Sequence, residues 1–179
     1  MIFKYIFLTI SLALSINGLL SPLVPSEFYT YQLAIVPTEP DLLKIYWKIL
    51  NGNEIQLELH CQTTGYCALG LSHTGGMPSS DMVIGWVDQS GAHLWDTYSR
   101  LRTSPTKDPQ QDWTLLEARE VNGYTILKMK RKLDTGDSQD RPITNEPTFL
   151  LFAWNNADPV NDNWLYHSQN KQVAFTTLM

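Results

Sequence analysis

Short runs in which apolar and polar residues alternate recur along the chain, each bounded by turn residues. Successive side chains of a strand point to opposite faces, so a period of two predicts β-structure. The pattern predicts strands at Tyr29–Val36, Leu42–Ile49, Glu54–Cys61, Tyr66–Ser72, Asp81–Val87, Ala92–Tyr98, Trp113–Val121, Tyr124–Arg131, Thr148–Trp154 and Gln172–Thr177. Turn signals separate them: "NGN" from Asn51, "TTG" from Thr63, "QSG" from Gln89 and "VNG" from Val121. Asn122–Gly123 between two alternating runs is the clearest hairpin signal. No stretch of a dozen residues sustains a helical period. Many short strands at this spacing predict an all-β sandwich or barrel. Residues 102–112 and 155–163 read as polar connections, and long loops at a sandwich edge are where binding usually resides.

The first residues follow another pattern. Lys4 precedes an apolar run from Tyr5 to Ile16, and Asn17, Gly18 and Ser21 follow. This is the layout of a secretory signal, with cleavage after Gly18 or Ser21. An uncleaved anchor is the alternative, because apolar character persists to Val24. Ser11, Ser15, Asn17 and two prolines interrupt it, and a spanning helix needs about 20 apolar residues. The expectation is a signal at 1–21, one secreted, extracellular domain at 22–179, and no membrane span in the mature chain. A chain of 179 residues is long enough for one real core.

Charge excludes one class of partner. The formal net charge is −5, and basic residues cluster only in "KMKRK", Lys128 to Lys132. That run alternates and reads as the solvated face and end of a strand. Nucleic acid is not an expected partner.

The two cysteines lie in "HCQTTGYCALG". Ile55, Leu57, Leu59, Cys61, Cys67, Leu69 and Leu71 share odd parity. A hairpin pairing 61 with 67, 59 with 69 and 57 with 71 would set them on one buried face. Cys61 and Cys67 would then be opposed, and in an oxidising compartment they can bond. Two buried free thiols are the alternative. His60 has even parity and is expected to face solvent; His93 reads as surface.

Enzyme signatures are missing: no G-x-S-x-G, no H-E-x-x-H and no phosphate-cradling loop. The four histidines, at 60, 73, 93 and 167, are scattered. A binding or electron-carrying module is expected rather than a self-sufficient enzyme, with no catalytic residues.

Five motifs then occur in order: "GYCALGLS", "GGMPSSDMVIGWVDQSG", "DPQQDWTLLEARE", "NGYTILKMKRKLDTGDSQDRPI" and "FLLFAWNNAD…WLYHS". Together, from about Tyr46 onward, they closely resemble the DOMON domain found at the front of dopamine β-hydroxylase-like monooxygenases. The resemblance implies an immunoglobulin-like β-sandwich of about ten strands. Those monooxygenases carry two copper-binding catalytic domains after DOMON, whereas this sequence stops at Met179. Gly136 also stands where the family usually has a cysteine. A stand-alone DOMON is expected, without copper hydroxylation.

The resemblance implies two candidate sites. Some DOMON domains are b-type cytochromes, with iron held by a methionine in a "GM" loop and a histidine near the domain's end. Met77 and His167 fall at matching places. A thioether and an imidazole give iron suited to electron transfer. Trp86, Trp95, Trp154, Trp164 and Tyr166 can supply an apolar cleft. Met77 packing its loop and His167 as a plain hydrogen-bonder are the alternatives. The second site is a calcium or sodium ion on the Asp81 and Asp112 carboxylates with backbone oxygens of Met82 and Thr97. Both aspartates also suit turn caps. "DTGDSQD" has EF-hand-like spacing at Asp134, Asp137 and Asp140 but lacks the loop glycine and terminal glutamate, and it is set aside.

Six tryptophans and eight tyrosines also fit a surface for sugar or a small apolar ligand. The expectation is therefore a non-catalytic ligand-binding module, in its sharpest form a haem b electron carrier. Its rivals are a redox-silent recognition module for sugar, apolar ligand or protein, with a structural cation, and an accessory subunit of a separate copper monooxygenase.

Overall fold

The computed structural model describes residues 24–161 and 163–179. The segment read as a signal lies outside them. Among the described residues eleven strands form: β1 Tyr31–Ala34, β2 Leu43–Leu50, β3 Glu54–Cys61, β4 Cys67–Ser72, β5 Ser80–Asp88, β6 Gly91–Ser99, β7 Thr106–Lys107, β8 Thr114–Val121, β9 Tyr124–Lys132, β10 Thr148–Trp154 and β11 Lys171–Thr176. They build two antiparallel sheets, ordered β1-β2-β3-β9-β8 and β11-β10-β4-β5-β6-β7. Among the described residues there is no helix, hence none long and apolar enough to cross a membrane.

The sheets close on the odd-parity residues of β2, β3, β4, β5 and β9 and on the even-parity residues of β10. Leu43, Ile45, Ile55, Leu57, Leu59, Leu69, Val83, Leu127, Met129 and Phe152 meet between them. Each such side chain removed from water contributes about 1.5–3 kcal/mol. The fold is the predicted all-β sandwich. Strand β7 was read as loop: two residues carry no period, and it exists through its pairing with Thr97 and Tyr98.

The predicted Cys61–Cys67 hairpin does not form. Strand β3 pairs with β2 and β9, while β4 pairs with β10 and β5. The connection from Gln62 to Tyr66 crosses from one sheet to the other. The two odd-parity faces look at each other across the core instead of lying side by side, a distinction alternation cannot make. Cys61 and Cys67 are nonetheless bonded, with Cα atoms 6.3 Å apart, as a clasp between sheets.

Two further expectations are corrected. His60 is on the outer face, as its parity required, yet is fully buried. The ring of Tyr46 packs on it with centroids 5.0 Å apart, and the chain from Ser26 to Tyr29 covers the neighbouring Glu58. Glu58, also buried, accepts hydrogen bonds from the Ser26 amide (3.0 Å) and hydroxyl (2.6 Å) and from Tyr29 Oη (3.1 Å), and His60 Nε2 lies 2.7 Å from it. Glu27 adds ion pairs to Lys48 and Lys128. The "KMKRK" run is not solvated throughout: Arg131 faces the core, opposite Ile55, and is buried. His93 is half-buried, stacked on Trp86 with ring centroids 4.6 Å apart.

Candidate functional site

The outer face of the six-stranded sheet is apolar where solvent-facing polar residues would be ordinary. Two ladder rows cross β10, β4 and β5: Leu151–Gly70–Met82 and Ala153–Ala68–Ile84. Small residues at Gly70, Ala68 and Ala153, with Leu151, Met82 and Ile84 beside them, make a trough. A Cβ on Gly70 would lie 3.2 Å from Met82 Cγ and 3.3 Å from Leu151 Cβ, so the glycine keeps the floor open. The result is a cavity of about 520 Å³, within the roughly 300–1,000 Å³ usual for small-molecule and cofactor sites.

Two loops wall it from opposite ends. Register sets Ser72 against Phe149 and Cys67 against Trp154. The β4–β5 loop therefore leaves one end of the trough and the β10–β11 loop the other. The first supplies Met77 and the second supplies Trp164 to His167. Gly75 turns the first loop with φ +74°, a conformation that costs glycine little. Ser72 Oγ donates to the Gly76 carbonyl at 2.6 Å, and Ser80 Oγ donates to the Met77 carbonyl, so the backbone at Met77 is fixed. The second loop is held by Tyr66 Oη donating to the Leu165 carbonyl (2.6 Å) and Asn155 Nδ2 donating to the Tyr166 carbonyl (3.1 Å).

His167 is prepared electronically. Its Nδ1 lies 3.0 Å from the Ser168 carbonyl oxygen. A carbonyl only accepts, so Nδ1 carries the proton and Nε2 keeps its lone pair. Burial holds the imidazole below its ordinary pKa, which favours the neutral form a metal needs. The charged side chains lining the cavity are Arg102 and Lys171, both cationic, and among the described residues no carboxylate lines it.

A second cluster sits inside one end of the sandwich. Asp81, Asp96 and Asp140 each present an oxygen within 4.8 Å of the others. Arg131 answers them: Nη1 donates to Asp81 Oδ2 at 2.7 Å and lies 3.4 Å from Asp140 Oδ2. Its Nη2 donates to the Arg141 carbonyl at 2.5 Å, and Trp113 packs over the guanidinium. Asp96 Oδ2 accepts from the Asp112 amide at 3.1 Å, but Asp96 Oδ1 is buried without a partner. Burial, then the Asp140 and Asp81 charges, pushes the Asp96 carboxyl up to about 8. Burial and Asp81 push Asp140 up to about 6.

A DOMON domain family model matches residues 39–155. The chain belongs to the DOMON family. Across 122 residues it is 37% identical to MOXD1 homolog 2 of Drosophila melanogaster, covering 66% of this chain and 16% of that protein. Across 128 residues it is 33% identical to human DBH-like monooxygenase protein 1, covering 72% of this chain and 21% of that protein. The chain thus spans about a fifth or less of the length of these relatives. The cytochrome domain of Myriococcum thermophilum cellobiose dehydrogenase shares the fold, with a TM-score of 0.66 at 13% identity, over 83% of this chain and 82% of that one.

Within this DOMON domain, the residues marked from sequence separate into two places. Met77 and His167 line one cavity, with Trp164 and Tyr166 beside them. Trp86 and Trp95 lie in a neighbouring cluster around Tyr66, Ile84 and Trp164. Trp154 faces the core instead, because its place in β10 has the parity of Phe152. Of the four expected cation ligands, Asp81 alone joins the acidic cluster. Asp112 contributes its amide, while its carboxylate accepts from Gln110 Nε2 at 2.8 Å. The Met82 carbonyl accepts the Thr97 hydroxyl at 3.1 Å. Asp96 and Asp140 take the remaining places. Asp96 pairs with core-facing Val83 in the ladder, and Asp140 belongs to the acidic run set aside from sequence.

Proposed function

We propose that this DOMON domain is a secreted, non-catalytic module whose outer-sheet cavity binds haem b, making it an electron carrier. The observation that carries this is the meeting of Met77 and His167 at one cavity from opposite ends of the sheet. The donor set fits the group: a thioether, and an imidazole whose Nδ1 is already committed. The floor fits a broad apolar ring, since Gly70, Ala68 and Ala153 leave it room. Arg102 and Lys171 suit the two carboxylates such a ligand carries at its edge. Bound haem would supply a one-electron couple. The chain's part is to exclude water, hold His167 neutral and fix the Met77 backbone.

The test is a visible spectrum of the purified protein with added haemin, oxidised and then dithionite-reduced. Wild type gives sharp low-spin bands, and Met77→Ala and His167→Ala each lose or broaden them. A spectrum of free haemin with wild type removes the reading.

A second site is supported by the orphan oxygen of Asp96. We infer that Asp81, Asp96 and Asp140 hold a hard cation, calcium or sodium, which oxygen-only donors suit. Calcium-dependent melting of chelator-treated protein tests it. Melting unchanged by calcium at pH 8 would leave the cluster as an Arg131-centred ion network.

A further inference from the structure

Each sheet of an open sandwich has two edges, and an edge strand exposes backbone donors and acceptors to pairing by another chain. Among the described residues, three of the four sheet edges are blunted. Strand β7 has two residues and β1 has four. Strand β8 bulges between Leu115 and Glu117 and carries Glu117, Arg119 and Glu120. Strand β11 has none of these protections. It runs six residues, pairs with β10 without a bulge, holds no proline or carboxylate, and has one charge, at its first residue. Its outward row is Lys171, Val173 and Phe175, with Val173 51% and Phe175 61% exposed. Leu165 and Tyr166 of the preceding loop are also exposed. A strip of this kind marks an interaction surface.

We propose that β11 pairs antiparallel with β11 of a second copy about a two-fold axis, joining the two six-stranded sheets into one. Directly opposed residues share a face, so partners must match in parity if the apolar row is to stay on one side. With Val173 on the axis, the whole outward row is used. Val173 faces its counterpart, and Lys171 faces the second copy's Phe175. No like charges oppose each other, and each ammonium meets an aromatic ring, a favourable contact. On the other face Gln172 opposes Ala174. The strand is thus complementary to itself. The contact is isologous, so the two-fold axis itself closes it at two copies. The axis stands normal to the sheet, so both cavities open on the same face, beside each other. Lys171 and Val173 also line the cavity, so the pairing is tested on protein without added haemin.

Sedimentation equilibrium of the purified protein tests it. Wild type gives twice the protomer mass, and Val173→Lys, which opposes two ammonium groups on the axis, halves that mass with an unchanged melting curve. The double variant Lys171→Cys/Phe175→Cys reads the register directly. Opposed Cα atoms in an antiparallel pair lie about 4.5–5.5 Å apart, within disulfide range, so oxidation gives a covalent dimer on a non-reducing gel. A wild-type monomer at the highest soluble concentration overturns the proposal. So does a dimer in which the cysteine pair does not cross-link. Should Val173→Lys fail to fold, the mass of wild type and the cysteine pair decide.

Discussion

Gly70 is the ladder partner of Met82, and the side chain it lacks is the open floor of the outer-sheet cavity. Glycine inside a strand weakens it and often marks a close approach by something else. Gly70→Leu would push Met82 and Leu151 aside and fill the trough. Crowding of this kind costs typically about 1–3 kcal/mol, so the fold survives with a lowered melting temperature. Haemin titration of the folded variant should show binding weakened at least tenfold. Unchanged haemin binding would mean the ligand lies elsewhere.

Arg131 is the cation that touches Asp81 and Asp140. It is wholly buried, and its removal leaves uncompensated carboxylates inside the sandwich. Breaking such a pair from one side costs about 3–5 kcal/mol. Arg131→Met should lower the urea midpoint accordingly without changing the slope. Replacing Arg131 together with Asp81 and Asp140 by apolar residues of similar volume should recover much of the loss. A single variant as stable as wild type would show that the cluster is neutralised another way.

The same cluster sets a pH dependence in chelator. Asp96 rises to about 8 in the folded chain, against about 3.9 in an unfolded one. The folded state therefore holds a proton that the unfolded state has released, and stability falls as pH rises between those values. Its contribution is fully present below pH about 4 and is gone once pH passes about 8. Melting temperatures across this window should slope downward for wild type and flatten for Asp96→Asn. Calcium should raise melting at pH 8 and leave it unchanged at pH 5, where protons compete. A flat wild-type profile in chelator would contradict the buried, partnerless geometry of Asp96 Oδ1.

Glu58 anchors the first described residues to the five-stranded sheet. Burial pulls its carboxyl upward, but hydrogen bonds from His60 and Ser26 outweigh burial and hold it below the usual range. The stability it adds is present above the unfolded pKa and lost as pH falls through the folded one. Glu58→Ala leaves His60 and Tyr29 buried with groups unpaired, a loss of about 1–3 kcal/mol for each such group. Limited proteolysis should then cut near residues 26–30 first. Protection equal to wild type would mean the segment is held by Glu27 with Lys48 and Lys128 instead.

The strand pattern in the sequence was a near-complete account of the sandwich, since burial on one face writes its period into the residues. It could not say whether two marked faces lie side by side or face to face, which is why the Cys61–Cys67 hairpin was drawn within one sheet. Nor could it show that Ser26–Tyr29 covers the even-parity residues of β3, because that covering comes from a segment with no period. For the candidate sites, motif resemblance pointed to Met77 and His167, which line one cavity, and to Asp81, which lies in the acidic cluster. Asp96 and Asp140 escaped because a strand's parity and a loop's path bring them to Arg131, and neither is written in local spacing. Gly70 had a signal, a glycine inside an apolar strand, which only the flanking Met82 and Leu151 turn into a cavity.

The clasp at Glu58 also fixes a direction. Ser26 is held on the outer face of the five-stranded sheet, and the Met77–His167 cavity opens on the outer face of the six-stranded one. The domain therefore has a back and a front. A bead or fusion partner joined directly at Ser26 attaches at the back and leaves the front facing outward. Immobilisation through that end should preserve access to the cavity, whereas coupling near β11 would crowd it.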